Sequence, residues 1–356
     1  MTTSAAVLRE RIARHGLITR PSPSVVRAVA LTTAIQAQEP HASRLGIRVR
    51  HATSTDAGVL ADIATKRLVR TWLMRGTIHL VDAADVRWLV RLVGPAISRK
   101  YRTRWRQIGL SDDVLDASVA ALPGILAGRP LTRPEIRDAL AERGVVIDSP
   151  DTQAHTHALV HASTLGLVCR GPERGREATF TLLGDWVPDA PAGPSGDDAL
   201  AELARRYFAA FSPATPADFT AWSGLPSTRA IELIGDELSA VEVGGRPGFR
   251  LGEVEPVRGV CLLPAFDNYL IGYRDRDAIL PAAQRPRIYN GGMIHPAVLH
   301  DGRVIGSWAL DRTKGHVRVS PFETLRPAVR RGVEAEIADL ERFLGRELTF
   351  DLAAAG

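Results

Sequence analysis

Lysine is nearly missing from this chain. Of 356 residues only Lys66, Lys100 and Lys314 are lysines, so its 45 basic side chains are almost all arginine. GC-rich coding produces the same preference, so arginine content alone assigns no phosphate ligand. Cysteine is scarce as well. Cys169 and Cys261 are the only two, far apart and at no metal-binding spacing, which argues against a disulfide scaffold or a cysteine-held metal. They read as reduced thiols of a cytoplasmic protein. No apolar run approaches the roughly 20 residues of a membrane span. The start, Met1-Thr-Thr-Ser-Ala-Ala, has no apolar signal core. No membrane, metal or cofactor is expected.

What is present is an ordinary folded composition, 45% apolar and 24% charged. The length suits two to four domains. The net charge of +5 is unevenly spread. From Arg9 to Arg50 eight arginines face only Glu10 and Glu39, and from Lys66 to Arg106 eleven cations face Asp82 and Asp85. From Asp197 to Glu255 the balance reverses, with five arginines against ten acids. One electropositive face, the footprint of a polyanion binder, is the expectation.

The most informative stretch is Thr33-Thr-Ala-Ile-Gln-Ala-Gln-Glu-Pro-His-Ala-Ser-Arg44. Its spacing predicts a helix from Val25 to Ile35, capped by Ser24, ending in Gln36 and Gln38 and stopped by Pro40. Residues i and i+2 do not share a helix face, so both amides reach one ligand only where the helix turns or frays. His41, Arg44, Arg48 and Arg50 follow, and Arg75 lies further on. Amides beside arginines point to a polar pocket near an anion; a solvated helix end is the plain alternative.

The rest reads as a recurring order of helices and a hairpin. A helix over 7–15 and one from Ser54 or Thr55 through Ala64 precede strands at 68–73 and 77–81. Asp82 to Gln107 is helical, and its end carries Arg99, Lys100, Arg102, Arg104 and Arg106 interleaved with Tyr101 and Trp105. That pattern suits either a solvated helix with buried aromatics or a helix on a nucleic-acid backbone. Thr132-Arg-Pro-Glu135 is a capping box. It starts a unit with a helix from about Thr152 to Leu165 and strands at 167–170 and 178–183, turned at Gly171 to Arg176. His157 and His161, four apart, lack a third metal ligand. Pro188 to Gly196 is a linker. Helices at 197–211, 215–224 and 226–234 lead to strands at 238–243 and 249–251, turned at Gly244 to Gly248. Short strands then follow, with Asp301-Gly302 as a two-residue hairpin turn, and a last helix runs from Pro327 to Leu344. The predicted class is α+β: three tandem winged helix-turn-helix units (1–81, 82–187, 197–256), then a small antiparallel β-barrel and helix (257–356).

Four segments resemble one family, the bacterial winged-helix DNA glycosylases of the AlkZ type. They are Gln36-Ala-Gln-Glu-Pro40, Thr71 to Val81, Leu263-Pro-Ala-Phe-Asp-Asn-Tyr-Leu-Ile-Gly-Tyr-Arg-Asp-Arg276, and Asp301 to Trp308. The resemblance runs from near residue 8 to near residue 345. It implies tandem winged helices and a barrel around a concave DNA-binding surface. It places Gln36 and Gln38 in the active site and implies removal of bulky N7-alkylated purines, crosslinks among them. Asp267, Tyr273, Asp275 and Arg276 read as groups that hold the barrel in place. The expected partner is double-stranded DNA carrying an alkylated purine, bound by a monomer. His41, Arg44, Arg48, Arg50, Arg75 and the cations from Arg99 to Arg106 are the candidate DNA contacts. Glu39 is the nearest carboxylate and an alternative base. A non-catalytic winged-helix DNA-binding regulator is the competing reading.

Overall fold

The computed structural model describes residues 4–175 and 177–354; Arg176, at the end of an expected turn, lies outside them. The chain opens with α1 (Ser4–Arg14) and α2 (Val25–Ala30), whose Ser24 cap accepts from the Arg27 amide. The expected helix to Ile35 is cut short. Thr33 turns left-handed at φ 70°, a conformation costly for a β-branched residue, and Ala34–Gln36 form the strand β1. Pro40 stops no helix. It sits in the first turn of α3 (Pro40–Arg48), where its lost N–H has no partner to miss. Then comes α4 (Asp56–Ala64).

The first expected hairpin forms as β2 (Leu68–Leu73) and β3 (Thr77–Asp82), in register from Leu68↔Asp82 to Leu73↔Thr77. Next, α5 (Val86–Gln107) runs unbroken through Pro95. The sequence reading assigns no element between Gln107 and Leu131, yet α6 (Asp112–Leu126) forms there. Its Ser111 cap and its buried Leu115, Ser118, Leu122 and Ile125 were legible as a helix face, masked by alanines and Pro123. After β4 (Leu131–Thr132), α7 (Arg133–Glu142) starts on a fully formed Thr132–Glu135 capping box. Then follow α8 (Ala154–Thr164), the hairpin β5 (Val168–Arg170) and β6 (Thr179–Leu182), and α9 (Leu183–Trp186).

Helices α10 (Gly196–Phe211), α11 (Pro216–Ser223) and α12 (Ser227–Ile234) lead to a hairpin of β7 (Leu238–Val243) and β8 (Arg246–Leu251). Its turn is the pair Gly244-Gly245 at φ 57° and 75°, shorter than the expected five residues. The C-terminal part holds β9 (Val260–Leu263), α13 (Asn268–Ile271), α14 (Arg285–Ile288) and the small hairpin β10 (Tyr289–Asn290) with β11 (Met293–Ile294). It ends with β12 (Ala297–His300), β13 (Arg303–Asp311), β14 (His316–Pro321), α15 (Pro327–Leu344) and β15 (Thr349–Leu352). Asp301-Gly302 turns β12 into β13 with both φ positive, 49° and 86°, as a type I′ turn requires.

Contacts divide the chain into two compact units. The first comprises residues 1–62, 201–222 and 226–356, the second 63–200 and 223–225. The division falls ahead of the β2–β3 hairpin, where the sequence reading sets a boundary at 81. In the second unit β2 pairs with β5 at Arg70↔Arg170, so strands β3-β2-β5-β6-β4 form one antiparallel array. Against it, α5 and α8 approach closely at Gly94, where an added Cβ would lie 2.1 Å from the Thr164 carbonyl oxygen. The predicted linker is pinned within this unit. Arg91 donates to the carbonyls of Ala192 and Pro194, and Gly193 lies against the Trp88 side chain.

The first unit holds the sheet β15-β14-β13-β12-β9. Among the described residues its outer strands do not pair with each other, so the expected barrel is an open sheet. The sheet is not wholly antiparallel either, since β15 joins β14 in parallel. α15 lies directly on β9: a Cβ on Gly332 would fall 2.6 Å from Val260 Cγ2. Among the described residues no helix is long and apolar enough to cross a membrane.

Candidate active site

Gln36 closes β1 and is 7% exposed, while Gln38 and Glu39, past the buried Ala37, are exposed. Extended backbone changes the geometry expected from the sequence. The strand ends at Gln36, and Gln38 lies in the bend that leads into α3, so the first amide is set by the strand and the second by the turn after it. The Gln36 carbonyl Oε1 is buried and meets no hydrogen-bond donor among the described residues. A buried acceptor left in that state costs about 1–3 kcal/mol.

The motif is held from the far end of the sequence. Asn268, 2% exposed, donates from Nδ2 to the Ala34 carbonyl (2.6 Å) and accepts the Gln36 amide on Oδ1 (3.4 Å). Its neighbour Asp267 caps α13 by accepting the Tyr269 amide at 2.9 Å. Asp267 also takes both arms of Arg50, at 2.7 and 3.0 Å, and neither side chain is exposed (0%). Arg50 Nη1 donates in addition to the Gly46 carbonyl of α3 at 2.9 Å.

These contacts settle what most of the nearby arginines do. Arg48, fully buried, donates to the Asp339 carboxylate (2.8 Å) and to Glu336 Oε2 (3.0 Å) on α15, where Arg20 also binds both acids. Arg44 holds Asp56 at 2.5 Å. Of the expected DNA contacts, Arg48 and Arg50 therefore present no face to a phosphate. They join segments of the first unit, and Arg44 is 8% exposed.

His41 is half-buried on α3. Desolvation, then Arg312 and Arg44, push its pKa down to about 4, so it stays neutral near pH 7. Burial lowers His79 to about 4 as well, and it lowers His15, helped by Arg50 and Arg11. All three sit below the ordinary 6.5, so the unfolded chain takes up protons first. The stability they contribute is complete above that value and is lost as pH falls, for His41 and His79 towards about 4. The urea midpoint is expected to drop across this window. A midpoint constant through it would show that these imidazoles accept protons without unfolding.

In the second unit the end of α5 separates by face. Arg99, Lys100, Arg102, Arg104 and Arg106 are exposed, whereas Trp105 is 3% exposed. Trp105 donates from Nε1 to His157 Nδ1 (3.2 Å), meets His161 edge-on at 5.0 Å and stacks with Tyr101 at 6.1 Å. The aromatics pack inward and the cations face outward, as the solvated-helix reading expects. Lys100 donates to the Arg75 carbonyl at 2.9 Å and so supports the β2–β3 turn, where Arg75 is left-handed at φ 61°. Arg104 pairs with Asp151 at 2.5 Å and Arg106 with Asp112 at 3.4 Å. Arg99 and Arg102 line a cleft of about 500 Å³ whose other wall carries Asp112 and Asp116.

The profile described as "DNA glycosylase AlkZ-like" matches residues 29–343. The chain belongs to the AlkZ-like DNA glycosylase family. An "Interstrand DNA cross-link repair glycosylase" from Streptomyces sahachiroi is 30% identical over 353 residues, covering 94% of this chain and 95% of that protein. The solved structure of Streptomyces sahachiroi DNA glycosylase AlkZ superposes with a TM-score of 0.82 at 28% identity, over 99% of this chain and 100% of that one. The AlkZ-like chain is thus a mixed α+β enzyme, a DNA glycosylase that hydrolyses N-glycosyl bonds. Sequence reasoning missed the part Asn268 plays beside its glutamines. The residue stood inside the quoted segment Leu263–Arg276, but only the fold brings it to Ala34 and Gln36.

Proposed function

We propose that this glycosylase removes N7-alkylated purines from duplex DNA, with Gln36 and Gln38 orienting the hydrolytic water. Ordinary glycoside hydrolysis needs a carboxylic acid to protonate the leaving group. An N7-alkylguanine already carries a positive charge. As the C1′–N9 bond breaks, its electron pair passes to the purine and neutralises that charge, so no acid is required. Water then bonds to C1′ of the oxocarbenium-like sugar and releases its proton to solvent. An amide suits this work. Its carbonyl accepts from the water and faces the developing cation, and its N–H groups fix the direction of approach. The observation that carries the reading is the pair of bonds by which Asn268 fixes the strand bearing Gln36, two residues ahead of the exposed Gln38. Unmodified guanine, with no such charge, gains little from neutral groups, which supplies selectivity for damage. Glu39, exposed, has no part in the chemistry, and Glu39→Gln retains activity. Crosslinked guanines carry the same N7 charge and belong to the same substrate class.

The enzyme acts as a cytoplasmic monomer, with its helix-and-hairpin groups as winged helices on the duplex. The exposed α5 cations meet the phosphates, with Arg75 at the neighbouring turn. Two measurements test this. A duplex with one N7-methylguanine, incubated with the protein and then cleaved at abasic sites, yields strand breaks that an unmodified duplex does not; equal yields end the proposal. In binding, each phosphate contact contributes about −0.9 to the slope of log K against log salt. Replacing Arg99, Arg102 and Arg104 together by alanine should reduce that slope by roughly three contacts' worth. An unchanged slope would move the DNA elsewhere.

A further inference from the structure

Asn268 and Asp267 hold the glutamine turn from both sides. Asn268 bonds the strand that delivers Gln36, through Ala34 and Gln36. Asp267, through Arg50 and the Gly46 carbonyl, holds the helix that leaves the turn. The Asn268 amide bonds the carbonyl before Ile35 and the N–H after it, as one residue of a parallel strand bonds its neighbour. It needs a donor and an acceptor in one short planar group, which among residues of this length only asparagine supplies. Backbone would have satisfied Ala34 and Gln36 equally well. A buried side chain instead takes part in setting their position, beside the Thr32 hydroxyl that also donates to the Ala34 carbonyl.

We propose that Asn268 is a positioning residue for the hydrolytic step: it sets the Gln36 backbone so that the carboxamide meets the water at the anomeric carbon. This rests on the reading of Gln36 as the water-orienting group. A group acting only through another alters the rate of bond cleavage and not the grip on DNA. Displacement by about 1 Å is enough to cost roughly 10²-fold in rate.

The test uses the full chain and a duplex with one N7-methylguanine, measuring the single-turnover rate and the Kd for the same duplex. Asn268→Ala is expected to slow release by roughly 10²-fold with Kd unchanged. Added to Gln36→Ala, it causes no further loss, because the two act as a unit. A wild-type rate in Asn268→Ala, a loss shared equally by Kd, or a fully additive double variant each overturns the proposal. If Gln36→Ala alone keeps the wild-type rate, the reading of Gln36 falls first, and the two failures are told apart. Asn268→Asp serves if the alanine variant does not fold. Its protonated carboxyl donates to the Ala34 carbonyl, and its ionised form repels that oxygen. Burial beside Asp267 raises such a pKa, so the ratio of variant to wild-type rate should fall as pH rises. A ratio independent of pH overturns the proposal.

Discussion

Release of N7-methylguanine by the Gln36→Ala, Gln38→Ala double variant is expected to be about 10²–10³-fold slower than by the wild type, the loss seen when a preorganised dipole is removed from a reacting centre. The uncatalysed departure of a cationic purine is the floor. The residual rate should approach it if Glu39, the nearest carboxylate, takes no part in the chemistry. Gln36 should carry the larger share. It is 7% exposed with its Oε1 lacking a donor, whereas Gln38 is exposed, and a dipole in a water-poor site acts more strongly than one in solvent. DNA affinity should hold, since neither residue is charged. Single-turnover kinetics on an oligonucleotide duplex separate the two quantities. Full activity in the double variant would transfer the chemistry elsewhere, with Glu39→Gln as the next measurement.

Asp267→Ala is expected to destabilise the protein by about 3–5 kcal/mol, the cost of leaving one partner of a buried ion pair without its counter-charge. Both side chains are 0% exposed, so solvent screening does not soften the loss. Removing the α13 cap adds to it, by about 1 kcal/mol. Arg50→Met leaves the carboxylate with a cap to make and a proton it can take up, so it should cost less. Urea denaturation of the two variants gives the comparison. A loss below about 1 kcal/mol for Asp267→Ala would place the pair among the exposed ones that contribute little. The same reasoning ranks the other arginines. Arg48, at 0% exposure with two carboxylates, belongs with Arg50; Arg106, 61% exposed beside Asp112, contributes next to nothing.

Local signals decided most elements. The Asp301-Gly302 turn, the Thr132–Glu135 box and the helix from Pro327 to Leu344 all formed where the residues placed them, because each depends on neighbours within a few positions. The glutamine stretch was misread for the opposite reason. Val25 to Ile35 has helical spacing, but the chain turns left-handed at Thr33 and Ala34–Gln36 pair as a sheet strand. Tertiary pairing overrode propensity.

The sequence by itself determined the main hairpins, the long helices other than α6, the two amides and the positive row on α5, since turn chemistry and periodicity are written locally; the family was legible only through the resemblance of four segments. Tertiary structure alone decided which arginines remain available to DNA. Arg48 and Arg50 look like the others in sequence, and what removes them is a carboxylate on α15 or beside α13 more than 200 positions away. A charge meets phosphate or a buried acid according to which side of the fold it faces, and that is fixed only once distant segments pack.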